Sequence, residues 1–540
     1  MRAIAGVLGF ILLLSGSTWG QETTPSQTRN TAPRPLFRHI KLAKPPADAD
    51  LRGMLEYQPV NIRWEVLNAL QAGSRVELNL FKNYSLIAYI ERVERRSERS
   101  VSYFGKIDGV PDGYSHVILT NEGEVLLATI YSPPLGIEFG VTSHREGYHL
   151  AYRVDPTVRG GCGTNTEQTP EPSSAEPETP NESQTGGDFS PAGDFEPSAC
   201  VQPTATVDIM VVYTPAVLAA RGSYSGVRAA AQQGVDVSNT IYQNSQIPLR
   251  ARLVLVAEVD YDESRDTFET HLNRLRNNGD GYMDIVHTLR DMHRADDVVL
   301  FVDDSDNGTL CGLAFPNHGW TWEGPVADRA FFVLNHSNGC LGLWWPAFTH
   351  ELGHNQGCAH NRANAGCSCG VLCWECANRY DYSYGYRFQG TDGQRYITVM
   401  SYPSDMGDCT GSNYVGAPVI PYFSNPSITY AGVAIGRAEG DGCAADNART
   451  IRQTSRRRED FALLDIWVDF SYSGSPERGT FSFPFNTLAE GADAITTFVD
   501  TTLIPFPTLY IKAGSSNERP RITKRMRIEA CGGTVRIGAP

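Results

Sequence analysis

Three things are scarce in this chain. Positive charge is one: 46 Lys and Arg stand against 61 Asp and Glu, a net charge of −15. Nucleic acid and anionic membranes would be repelled by that balance and are excluded as partners. The run Arg456-Arg457-Arg458 and the basic stretch from Arg519 to Arg527 are local exceptions, read as solvated faces. Long apolar runs are the second scarcity. Past residue 20 no stretch is long and apolar enough to cross a bilayer. The third is positional: none of the twelve cysteines precedes Cys162, and ten of them fall from Cys200 to Cys443.

The apolar run that does exist lies at the start. Arg2 precedes Ala3 to Leu14, and the small residues Ser15, Gly16 and Ser17 follow. That order predicts a secretory signal peptide cut after Gly20, and so a soluble, secreted, extracellular product. In an oxidising compartment most of the cysteines pair, and the segment 200–443 reads as one disulfide-stapled domain. Composition, with 41% hydrophobic and 20% charged residues over 540, is that of globular protein in two to four domains.

Texture divides the rest. Residues 21–163 carry strand-like runs at Arg75 to Leu80, Ser85 to Ile90, Val101 to Gly105, Ser115 to Thr120 and Glu124 to Tyr131, several separated by Gly-containing turns. They predict a β-rich first region. Residues 164–198 are built from Thr, Glu, Pro, Ser, Gly and Asn with almost no large apolar side chain. Such a stretch cannot bury enough surface to fold, so it reads as a disordered linker open to proteolysis. From 199 to 466 strands alternate with helices. Val207 to Tyr213 is a run suited to a strand buried on both faces, and Thr214-Pro215 then starts a helix. Leu253 to Val259, Val298 to Val302 and Ala330 to Leu334 are further strands. The pattern predicts an α/β (α+β) domain with a mixed, mostly parallel sheet. Residues 467–540, with short strands and Gly-rich turns, read as a small all-β module.

The chemistry concentrates in His350-Glu351-Leu352-Gly353-His354-Asn355-Gln356-Gly357-Cys358-Ala359-His360. Residues four apart share one helical face, so His350 and His354 can aim both imidazoles at one ion. Glu351, one step round, can reach a water on that ion without binding the metal. Gly357 permits the left-handed turn that ends the helix and returns His360 to the same ion. Three protein nitrogens and one open position describe a single catalytic Zn2+ site. Glu351 is then the general base, and protein or peptide is the substrate. No Ser/His/Asp set is apparent. Calcium is not addressed by the sequence.

This segment resembles the long zinc signature of the metzincin metallopeptidases. Thr398-Val399-Met400-Ser401-Tyr402 resembles their Met-turn, which implies Met400 packed beneath the histidines. Tyr402 is similar to the tyrosine that in some metzincins contacts zinc or assists the transition state. Val207 to Pro215 and Phe423-Ser424-Asn425-Pro426 resemble bacterial reprolysin-like enzymes of the adamalysin branch, including the peptidyl-Asp metalloendopeptidases. Asn361 departs from the Asp usual in adamalysins. The likeness covers most of 205–450. It implies cleavage beside acidic residues and a substrate-pairing edge strand at Ala330 to Leu334. The first region resembles a reprolysin-type propeptide, in which Cys162 is either a cysteine switch or a disulfide partner, for instance of Cys200. The crowd Cys358, Cys367, Cys369, Cys373 and Cys376 reads as disulfides in preference to a second metal site. Gly479-Thr480-Phe481 and the run Gly532 to Gly538 resemble turns of a parallel β-helix. A non-catalytic adhesion or binding protein on a metzincin scaffold is the competing reading.

Overall fold

The computed structural model describes residues 32–47, 51–156, 161–163, 204–264, 266–303, 310–316, 327–337, 339–365, 379–407, 409–459, 465–495 and 507–538. The expected signal peptide and linker, and the cluster from Cys367 to Cys376, lie outside these residues.

The first region is one ten-stranded sheet. Six neighbouring strands from Arg75–Phe81 to Ile137–Ser143 follow one another antiparallel, and His149–Val154 and Met54–Ile62 extend them. One short segment joins the sheet's two ends. Arg34–Pro35 pairs with Arg75–Phe81, while Phe37–His39 pairs with Met54–Ile62. His116–Glu122 and Val125–Ser132 are buried along their whole length. Alternation explains this. Val117, Leu119, Leu126 and Ala128 fill the core inside the sheet. Ile118, Leu127 and Tyr131 point the other way, into a core shared with the following region.

That second region is built on a six-stranded sheet. Ala205–Tyr213 lies between Leu249–Glu258 and Asp297–Val302, parallel to both, and Phe331–Asn335 adds in parallel to Asp297–Val302. Leu310–Ala314 then pairs antiparallel with Phe331–Asn335. The mixed, mostly parallel sheet agrees with the expectation. The edge does not: Ala330 to Leu334 is an interior position, because Leu310–Ala314 covers it. In the central strand Val207, Ile209 and Val211 face one core, and Met210 and Val212 face the other. This is why the run carries no polar alternation.

A long helix, Tyr224–Asn244, packs against both regions. On one flank its Asp236 carboxylate accepts from Ser102 and from Thr120 Oγ1 at 2.8 Å, both on the β-rich sheet. Arg228 pairs with Glu122 at 2.9 Å beside it. On the other flank it crosses the helix Ala347–Asn355. A Cβ built on Gly234 would come within 2.5 Å of the Phe348 ring, so only glycine allows this approach. Gly234→Val is therefore expected to lose about 1–3 kcal/mol through overpacking. The melting temperature read by circular dichroism should fall by several degrees; an unchanged value would mean that the helices can separate freely.

The last region holds three parallel strands, Ile466–Val468, Thr508–Ser516 and Arg527–Ile537. It is not all-β: Leu488–Ala494 is a short helix capped by the Thr487 side chain and packed on the first two strands. Among the described residues no helix is long and apolar enough to cross a membrane.

Candidate metal centre

Helix Ala347–Asn355 starts at Pro346 and is buried throughout. Phe348 and Leu352, four residues apart, face the shared core. The opposite face carries His350 and His354. Gly357 follows with φ of 89°, and the chain doubles back into Ala359–Asn361, which pairs with Tyr384–Gly385. That reversal brings His360 to the helix. The three Nε2 atoms converge: His354 to His360 is 3.0 Å and His360 to His350 is 3.1 Å.

Main-chain carbonyls fix the ring orientations. Nδ1–H of His350 donates to Val399 O at 2.8 Å, that of His354 to Cys358 O at 2.9 Å, and that of His360 to Asn364 O at 3.2 Å. A carbonyl can only accept, so each Nδ1 carries the hydrogen and each Nε2 presents a lone pair. Burial lowers the pKa of His350 to about 4. Burial and the neighbouring His350 lower His360 to about 3. Burial and both neighbours push His354 well below its ordinary value. The rings are thus neutral near pH 7. Three lone pairs aimed at one point repel one another unless a cation lies between them. Bonds of about 2.1 Å in tetrahedral geometry would space such nitrogens roughly 3.4 Å apart, close to what is observed. The donor set fits a metal ion, zinc in particular.

A fourth atom able to bind a metal comes from the first region. Gly161–Cys162 lies along Leu310–Ala314 as a parallel strand, and Gly163 N–H donates to Gly312 O at 2.8 Å. Cys162 is a thiol, not half of a disulfide. Its Sγ is 3.6 Å from His354 Nε2 and 3.4 Å from Glu351 Oε2. The ligand atoms of Cys162, His350, His354 and His360 all lie within 4.8 Å of one another. Tyr402 clasps the same residue: its hydroxyl donates to Cys162 O at 2.7 Å and accepts from Cys162 N–H at 3.1 Å. Burial, with Cys162 and Glu351 adding to it, raises the Tyr402 pKa well above the ordinary value.

Glu351 is fully buried on the helix beside these atoms. Gly312 flanks it so closely that a Cβ there would lie 2.5 Å from Glu351 Cγ. Met400 is buried, and its sulfur would be 2.6 Å from a Cβ on Gly353, so it lies directly against the helix. Asn361 accepts the Tyr402 N–H through Oδ1 at 3.0 Å, which gives the residue that replaces the usual Asp a part in holding Tyr402.

Sequence reasoning missed Gly312 and the three orienting carbonyls. No side-chain pattern encodes a carbonyl contact, whereas a glycine beside Cys311 was a faint signal for Gly312. The cysteine expectation needs one correction. Cys358 is a buried thiol in the shared core, its Sγ 3.8 Å from Asn447 O, and burial raises its pKa. Disulfides do join Cys311 to Cys340 and Cys409 to Cys443. The first ties strand Leu310–Ala314 to the segment that leads into the histidine helix.

The family model for Metallo-peptidase family M12, reprolysin type, matches residues 203–415. The peptidyl-Asp metalloendopeptidase of Stenotrophomonas maltophilia (strain R551-3) is 34% identical over 249 residues, 46% of this chain and 51% of the relative. The protein of the same name from Pseudomonas aeruginosa is 30% identical over 265 residues, 47% of this chain and 40% of the relative. The chain thus spans about half the length of the first of these curated relatives, and less of the second. Among solved structures, metalloproteinase-II from Bacteroides fragilis aligns with a TM-score of 0.30 at 12% identity, covering 61% of this chain and 93% of that one. Motif, site geometry and sequence relatives agree: residues 203–415 of this chain are similar to the reprolysin-type metallopeptidases of family M12.

Proposed function

We propose that the protein is a secreted zinc endopeptidase, made latent by its own β-rich first region and acting on protein substrates. The convergence of three Nε2 lone pairs beside the buried Glu351 carboxylate carries this reading. Bound zinc would acidify a water to a pKa of about 7 and polarise the scissile carbonyl. His350, His354 and His360 would hold it, with Met400 packed under the helix. Glu351 takes the proton from the attacking water and returns it to the leaving nitrogen. Strand Leu310–Ala314 offers its outer edge to an extended peptide backbone once Gly161–Gly163 has left it. The name of the relatives supports a preference for peptide bonds beside aspartate.

In the latent form Cys162 would hold the metal beside the three histidines, while Tyr402 grips its backbone. Cutting the linker 164–198 would begin maturation. After that the Tyr402 hydroxyl is released and faces the reacting carbonyl.

Metal removal tests the reading. Purified protein matured by cutting the linker should carry one zinc per chain by atomic absorption and cleave an unfolded protein. Dialysis against 1,10-phenanthroline should abolish cleavage, and added zinc should restore it. Matured protein that keeps its zinc yet cleaves nothing would favour the binding-protein reading. Cleavage that persists without metal would refute the zinc mechanism.

A further inference from the structure

A second feature lies away from the histidines, at the seam between the β-rich region and the long helix. A cavity of about 830 Å³ opens there. Its walls include Arg38, Arg63, Arg99 and Arg145 from the β-rich region and Arg221 from the other side. Two carboxylates, Glu65 and Glu124, also line it, and Glu65 is 3.8 Å from Arg34. Five guanidinium groups against two carboxylates make a cationic hollow in a chain of net charge −15.

Three observations give the hollow an anion-binding character. Arg63 Nε and Ser143 Oγ are buried with no hydrogen-bond partner among the described residues, and both belong to lining residues. Each can donate. The 21-residue helix Tyr224–Asn244 begins at the wall, where Ser223 and Ser225 line the cavity. Its N-terminus adds backbone N–H groups and the positive end of the helix dipole. Arg221 is almost wholly buried, held by His336 at 2.9 Å and Thr142 at 3.3 Å. It is therefore a fixed positive charge rather than a mobile one. The volume lies within the range of small-ligand sites, which favour seams between structural units.

We infer that this cavity binds a compact polyanion bearing two or more phosphate or sulfate groups. Guanidinium forks bind such oxyanions through paired N–H donors. Because its donors come from both sides of the seam, a bound polyanion would hold the β-rich region on the rest of the chain.

Isothermal titration of the full chain tests this, with sodium pyrophosphate and with a sulfated heparin disaccharide at matched ionic strength. One saturable site is expected, with binding weakened by added NaCl. Tighter pyrophosphate binding would identify a phosphate ligand, and tighter disaccharide binding a sulfated sugar. The double variant Arg63→Gln/Arg99→Gln should bind about tenfold more weakly or worse. Should it fold poorly, Arg38→Glu at the exposed rim must weaken binding by itself. No saturable binding of either probe, or binding untouched by these substitutions, overturns the inference. Neither readout depends on peptidase activity.

Discussion

Glu351→Gln is expected to lower peptide hydrolysis by about 10²–10⁴-fold while leaving the zinc content unchanged. Gln matches Glu in size, which matters here because the side chain is fully buried and Gly312 leaves no spare room beside it. The three imidazoles are oriented by Val399, Cys358 and Asn364 carbonyls, none of which involves Glu351. The metal should therefore stay, and only the proton acceptor is lost. The measurement is the initial rate on an unfolded protein substrate, with metal analysis of the same sample. A variant within tenfold of wild type would show that another group accepts the proton. A variant without zinc would mean that Glu351 holds the site together instead.

The second large effect runs in the opposite direction. Cys162→Ser in the uncut chain is expected to raise hydrolysis of a short peptide at least about tenfold over the latent wild type. A serine hydroxyl is a far weaker zinc ligand than a thiolate. Full activity should not appear, because two further contacts survive the substitution. Tyr402 still holds the backbone of residue 162, and Gly163 still donates to Gly312 O. The variant should thus lie between the latent chain and the matured one. Wild-type Cys162 should in turn resist a thiol reagent until zinc is chelated. A variant as silent as wild type would place latency in the strand contacts alone, and one as active as mature enzyme would place it wholly in the thiol.

Much of the centre was legible because it is local. The i, i+4 pair, the helix-ending Gly357 and the returning His360 lie within eleven residues, and backbone geometry determines where they point. The central strand was legible for a similar reason, since a run buried on both faces has no polar alternation to hide it. The strand Leu310–Ala314 was not. It is short, includes a glycine, and becomes a strand only through pairing with Phe331–Asn335. Its partner Gly161–Cys162 lies some 150 positions earlier in the chain, beyond the reach of any local signal. The helix Leu488–Ala494 escaped notice because seven residues give too few turns for a period to stand out. Cysteine pairing is likewise non-local, and so the unpaired state of Cys358 could not be read from spacing.

The two-faced sheet of the first region also bears on the order of events during synthesis. Ile118, Leu127 and Tyr152 share one core with Val227, Ala230 and Val235 of the long helix, which the ribosome makes about a hundred residues later. The earlier half can close its inner core before the later half exists, because that core draws on its own strands. The later half cannot do the same, since one wall of its core is the sheet already made. Emergence from the N-terminus therefore supplies a finished template first and the helix that condenses on it second. A chain begun near residue 204 would have to reach the same packing without that surface, and would expose it to neighbouring chains while it searched.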